Sequence, residues 1–405
     1  MINKATNTRW MFLLSGAKAR HFCVYGLLTV MACSAVGTAF AGDQQRRQAK
    51  RMYDRLVGVP PTAAVLDQME PLILSSPEAA AQIAMDDPGF YNVTLKNFAM
   101  PWTNESQDVF TPLNDYVATV IGMVRDDVPF DQVLSGDVIY IGSDSNAPGY
   151  SNSNNAHYEY LEDNNINLKA DLVQRPQSQI TGLPTDATAG VLTTRAAARA
   201  FLIDGTNRAM FRFTMMNHLC TDLDPIKDTS RDPGRIRQDV SRSPGGDSRI
   251  FNNNCVGCHA GMDPMIQAFA YYDYQYPAGN EEAGQLVYTP GTVQPKYLIN
   301  STTFKFGYVT PDDHWDNYWR HGSNSALGWN DALTGSGAGA KSLGQELAGS
   351  EAFALCQVQK VYKTVCLREP ATADALALND MVTTFKTNHN LKTVFAKAAV
   401  ACKGD

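Results

Sequence analysis

Eight cysteines and seven histidines are spread thinly over 405 residues, yet three of them fall within five positions, in Asn254-Cys255-Val256-Gly257-Cys258-His259. Two thiols one helical turn apart, followed at once by an imidazole, suit three chemistries. Dithiol exchange uses Cys-x-x-Cys, but it needs no histidine, and the flanking sequence has no β-α-β pattern. A zinc site needs a second ligand pair, and the chain has no other Cys-x-x-Cys. In the third chemistry each thiol adds to a vinyl group on one porphyrin edge, and the adjacent histidine becomes the proximal iron ligand. Chance matching from this composition yields on the order of 0.002 such motifs. The expectation is one covalently attached haem c, bound through Cys255 and Cys258, with His259 as the metal ligand. No catalytic side chain is assigned.

The second axial position is open in the sequence. Met262 lies only three residues beyond His259 and cannot reach the opposite face of a ring. Downstream candidates are His314, His321, Met381 and His389; upstream ones are Met210, Met215, Met216 and His218. His321, which ends the aromatic segment Asp312–His321, ranks first. A five-coordinate iron is the alternative.

Haem attachment through thioethers requires export, and the first 41 residues read as an export signal. They hold Lys4, Arg9, Lys18 and Arg20 with no acidic residue, then an apolar run from Val24 to Ala32, then Ala39-Phe40-Ala41. Small residues at −3 and −1 place cleavage after Ala41. A membrane anchor is the competing reading, but the apolar core is short for a span of about 20 residues. After cleavage 364 residues remain with no expected membrane span, and the formal charge moves from −7 to −11 as the four basic residues leave. That acidity and the lack of a basic stripe argue against nucleic acid as a partner. The compartment is expected to be periplasmic or secreted.

Of the six remaining cysteines, four lie outside the motif, an even number suited to two disulfides in an oxidising compartment. Cys356 and Cys366 are separated by ten residues of one expected helix, about 15 Å, and cannot pair. Cys366 and Cys402 close the first and third helices of an expected up-down-up bundle and meet at one end. Elimination leaves Cys220 with Cys356. Four free buried thiols are the alternative.

The elements that must position the motif read as mainly α with a few short strands, in a multidomain chain. Residues 42–141 form an N-terminal helical region, in which Asn114 caps a helix with Val117, Val120, Ile121 and Val124 on one face. Residues 142–189 are a polar loop or linker region. Residues 190–340 form the haem-binding helical domain, with helices at Arg195–Ile203 and from Thr206 to Cys220. Within it Gly261 is expected to end the motif helix, and Asp263-Pro264 to cap a new one running from Met265 to Asp273. Residues 277–310 suggest short strands. Residues 341–405 form an antiparallel three-helix bundle, opened by Ser350 and Thr372.

Several segments together resemble the planctomycete-type multidomain cytochrome-like proteins: Gly190–Ala196, Asn207–Phe213 through Cys220, and Cys255-x-x-Cys-His-x-Gly-Met-Asp-Pro264. Val124–Asp137 and Leu347–Cys356 resemble their upstream and C-terminal domains. Where that family usually has glycine and phenylalanine after Met-Asp-Pro, this chain has Met265 and Ile266. The resemblance implies haem binding and electron transfer, and carries over Cys255, Cys258 and His259 alone. The reading is a periplasmic mono-haem c-type cytochrome serving redox partner proteins. The alternatives are a haem-dependent oxidoreductase or its haem subunit, and a surface-assembly protein with a secondary haem.

Overall fold

The computed structural model describes residues 43–203, 207–236, 248–297 and 308–404, so the leader expected at 1–41 lies outside the described residues. Among the described residues the chain is mainly helical, and the strands form three two-stranded antiparallel sheets. The first helix, residues 43–57, buries Ala49, Met52, Tyr53 and Leu56, the i, i+3, i+4, i+7 stripe of an amphipathic helix.

The helix Asp115–Arg125 is capped by the Asn114 side chain, which accepts from the Val117 N–H at 3.1 Å. The sequence suggests one buried face, but every residue from Asp115 to Val124 is buried. Its polar members are satisfied internally: Thr119 Oγ1 donates to the Asp115 carbonyl at 2.7 Å. Both Asp115 carboxylate oxygens accept backbone N–H groups, from Arg195 at 2.7 Å and Ala196 at 3.0 Å.

Strand Ile139–Gly142 packs on this helix and pairs with Leu172–Arg175, Ile139 opposite Arg175. Between them residues 143–155 are loop, held by local side-chain turns such as Asn146 N–H to Asp144 and Ser153 N–H to Ser151. The helix Ala156–Asp163 follows, more order than the polar composition of 142–189 suggests. His157 anchors the loop: its Nδ1 lies 2.6 Å from the Pro148 carbonyl and its Nε2 accepts from the Gly142 N–H.

The C-terminal bundle comprises Glu351–Cys366, Ala375–Asn388 and Leu391–Ala401, and Ser350 caps the first helix. The two disulfides are Cys220–Cys356 and Cys366–Cys402, with Cα separations of 5.2 and 5.5 Å. One apolar core runs unbroken from Ala49 through Phe211 and Phe269 to Cys402, joining segments from the whole described chain. Among the described residues no helix is long and apolar enough to cross a membrane.

Candidate functional site

The motif lies on the helix Val256–Ile266, with Cys255 at its N-terminus and the helix Ser248–Asn254 leading into it. This corrects the expected break. The helix passes through Gly261 and Pro264 to Ile266, and Gln267–Phe269 then forms a 3-10 turn. Residues Tyr272–Gln275 are a strand, paired with Gln285–Tyr288, where a helix to Asp273 was expected.

Gly261 is glycine because of a close approach, not a helix end. A Cβ there would lie 1.8 Å from Nε1 of the fully buried Trp319. Pro264 lies inside the helix, where it lacks the N–H that would bond the Ala260 carbonyl, and the helix ends two residues later at Ile266. Asp263 is no cap; its side chain turns back along the helix.

Cys255, Cys258, His259 and Met262 follow i, i+3, i+4, i+7 spacing and share one side of the helix. The other side, at Gly257 and Gly261, is seated on protein: the Gly257 carbonyl accepts the Asp228 N–H at 2.9 Å, and Trp319 lies against Gly261. Ile236, Phe251 and Ala260 form a small apolar cluster apart from the main core, with Cys255 and Val256 packed on it. The Phe251 ring lies 5.5 Å from that of His259.

Cys255 and Cys258 are unpaired and half-buried, whereas the other four described cysteines are in disulfides. Burial pushes the Cys258 thiol up against the opposing pull of Lys227. That is the reverse of the depressed pKa that activates a redox cysteine.

His259 is partly exposed, and its Nδ1 lies 3.1 Å from Oδ1 of Asp263. Asp263 is fully buried. The guanidinium of Arg208 grips the same carboxylate from the neighbouring helix Arg208–His218, with Nε 3.1 Å from Oδ1 and Nη2 2.8 Å from Oδ2. Burial alone favours the neutral acid. Arg208 and the His259 ring outweigh it and hold the carboxyl far below the usual carboxylate range. Sequence reasoning missed Arg208 altogether. Asp263 was noticed only as a cap, though its i+4 spacing from His259 was a usable signal.

The candidates for a second axial ligand are scattered. His218 is buried in the core, with Nε2 2.7 Å from the Tyr116 hydroxyl and Trp102 and Phe353 beside its ring. His389 follows the second bundle helix, edge-on to Phe385 and 3.8 Å from Asp131. Met210, Met215 and Met381 are core residues, and Met216 packs against that core. His314 and His321 are exposed, on or just after short elements that pack on the motif helix, Nε2 of His314 lying 3.7 Å from Asp316.

These residues fit a covalent porphyrin. The two unpaired thiols and the imidazole line one partly open helix face beside an apolar cluster, and a buried carboxylate fixes the imidazole. Among the described residues no three His, Cys, Asp or Glu side chains converge to hold a metal alone. A porphyrin brings four nitrogens of its own and asks the protein for axial ligands only. No family model, curated protein or solved structure matches this chain.

Proposed function

We propose that the chain is a mono-haem c-type cytochrome that passes single electrons between partner proteins in the periplasm or outside the cell. The observation that carries the reading is the contrast among its cysteines. Four are joined in disulfides, while the two in Cys-x-x-Cys-His remain free on one face of a helix with His259. Cys255 and Cys258 would hold the porphyrin edge and His259 would be the proximal ligand. A bound haem supplies reversible uptake of one electron.

The protein's part is to hold and insulate that group. Cys220–Cys356 joins the end of the Arg208–His218 helix to the bundle, and Trp319 fixes the back of the motif helix. The apolar side chains of Ile236, Phe251 and Ala260 keep water from one side of the site. Two disulfides and the basic, apolar leader support an oxidising compartment. The resemblance to the planctomycete-type cytochrome-like proteins supports the same reading.

Absorption spectra of the exported protein with and without carbon monoxide test the carrier role. A low-spin iron inert to carbon monoxide is the expected result. A high-spin iron that binds it would replace the carrier with a haem-dependent oxidoreductase.

A further inference from the structure

We infer that Asp263, locked by Arg208, is the positioning residue that fixes the His259 tautomer and sets a low reduction potential for the haem. The inference rests on the haem-attachment reading and adds what controls the iron.

His259 and Asp263 are one turn apart on one helix, so their contact follows from helix geometry and survives motion of the surrounding loops. The carboxylate is buried and held from the far side by both nitrogens of the Arg208 fork. An ionised carboxylate only accepts hydrogen bonds. Facing it, Nδ1 of His259 must carry the ring proton, which leaves Nε2 as the basic nitrogen. A carboxylate beyond a metal-bound imidazole also raises the basicity of that ligand. A more basic ligand favours ferric over ferrous iron.

Arg208 has a separate task. The bidentate pair holds the Asp263 carboxylate in place, with Oδ1 turned toward Nδ1 of His259. Arg208 is placed by Asn207, which adopts a left-handed backbone conformation before the helix, φ 59°, and donates to the carbonyls of Phe269 and Tyr272 at 3.0 and 3.1 Å. The strand after the motif helix and the helix carrying Arg208 are thereby fixed together.

The test has two arms on the full chain. In the haem-loaded protein, Asp263→Asn should raise the potential by about 59 mV or more, a tenfold shift in the ferric–ferrous equilibrium. The haem should stay covalently attached, and Asp263→Glu should restore part of the shift. An unchanged potential would overturn the inference and leave Asp263 a structural residue. The second arm needs no haem. In the Cys255→Ala/Cys258→Ala chain, nitrogen-15 shifts of His259 should report a proton on Nδ1, lost from that position in Asp263→Asn. A ring protonated on Nε2 would overturn the inference by itself. Absence of haem from the wild-type chain would instead sink the cytochrome reading, with the tautomer still measurable.

Discussion

Replacing Gly261 by alanine sets two effects of known size against each other. Alanine is the better helix former by about 1 kcal/mol in a helix interior. Against this, the new methyl would lie 1.8 Å from Nε1, 2.4 Å from Cε2 and 2.6 Å from Cδ1 of Trp319. Ordinary carbon contacts are about 3.5–4.0 Å, so the indole or the helix must retreat by about 1.5 Å. Trp319 has little room to do so. It is fully buried, tilted on Phe211 at 5.9 Å, and its backbone is tied at both ends: its N–H donates to Asn317 Oδ1 at 3.0 Å and its carbonyl accepts from Trp329 Nε1 at 2.9 Å. Overpacking of this kind costs about 1–3 kcal/mol, and expelling a tryptophan about 3–5. After the helix gain is subtracted, the net loss is up to about 2 kcal/mol if the core adjusts and about 2–4 kcal/mol if the tryptophan is expelled. Urea unfolding followed by circular dichroism, at constant m-value, reads this directly. In a Trp319→Leu background the same change should become neutral or stabilising, since the clash is gone. Wild-type stability in Gly261→Ala, or an undiminished loss in the double variant, would refute the close-approach argument.

Opening Cys220–Cys356 should destabilise more than opening Cys366–Cys402, because the loops they close span 136 and 36 residues. Chain entropy sets upper bounds of about 5 and about 4 kcal/mol, and paired Cys→Ala variants compared by thermal unfolding test the order. Burial lowers the ammonium of Lys360 to about 7; its stem is partly exposed, but its tip reaches the Asn217 carbonyl at 2.5 Å and lies 4.3 Å from the Trp102 ring centroid. Between pH 7 and the ordinary lysine value of about 10.4, the unfolded chain binds the extra proton, so stability rises with pH across that window, by at most about 1.4 kcal/mol per unit. Lys360→Met should remove that slope, and equal slopes in the two proteins would contradict the buried-ammonium assignment. Asp115→Ala should cost about 2–4 kcal/mol, since it leaves the buried N–H groups of Arg195 and Ala196 unpaired; a loss under 0.5 kcal/mol would show that water replaces the carboxylate.

Much of the architecture was legible because it is local. Asn114 and Ser350 cap the helices that their positions predict, and both cysteine pairings followed from helix length and bundle direction. That Cys255, Cys258 and His259 share one side of a helix was legible from spacing alone. What failed was the turn chemistry after it: glycine followed by Asp-Pro reads as stop and restart, yet tertiary contacts overrode that signal. Trp319 needs the space at 261, and Arg208 and His259 claim the carboxylate at 263. Neither Trp319 nor Arg208 is near in sequence; 58 positions separate Gly261 from Trp319 and 55 separate Arg208 from Asp263. The helix Asp115–Arg125 reads as amphipathic from the spacing of Val117, Val120, Ile121 and Val124, whereas its Asp115 and Thr119 are satisfied by backbone groups inside the core. His218 and His389 resembled ligands by residue type, but each is absorbed by packing that a linear pattern does not display.

The central claim is covalent attachment of one haem through Cys255 and Cys258. Its most direct measurement is the intact mass and pyridine haemochrome spectrum of the protein exported from a host that matures c-type cytochromes. The account predicts one haem per chain, resistant to acid–acetone extraction, and none in the Cys255→Ala/Cys258→Ala variant. A wild-type chain recovered folded, with both disulfides formed, both motif thiols alkylatable and no haem attached, would contradict it.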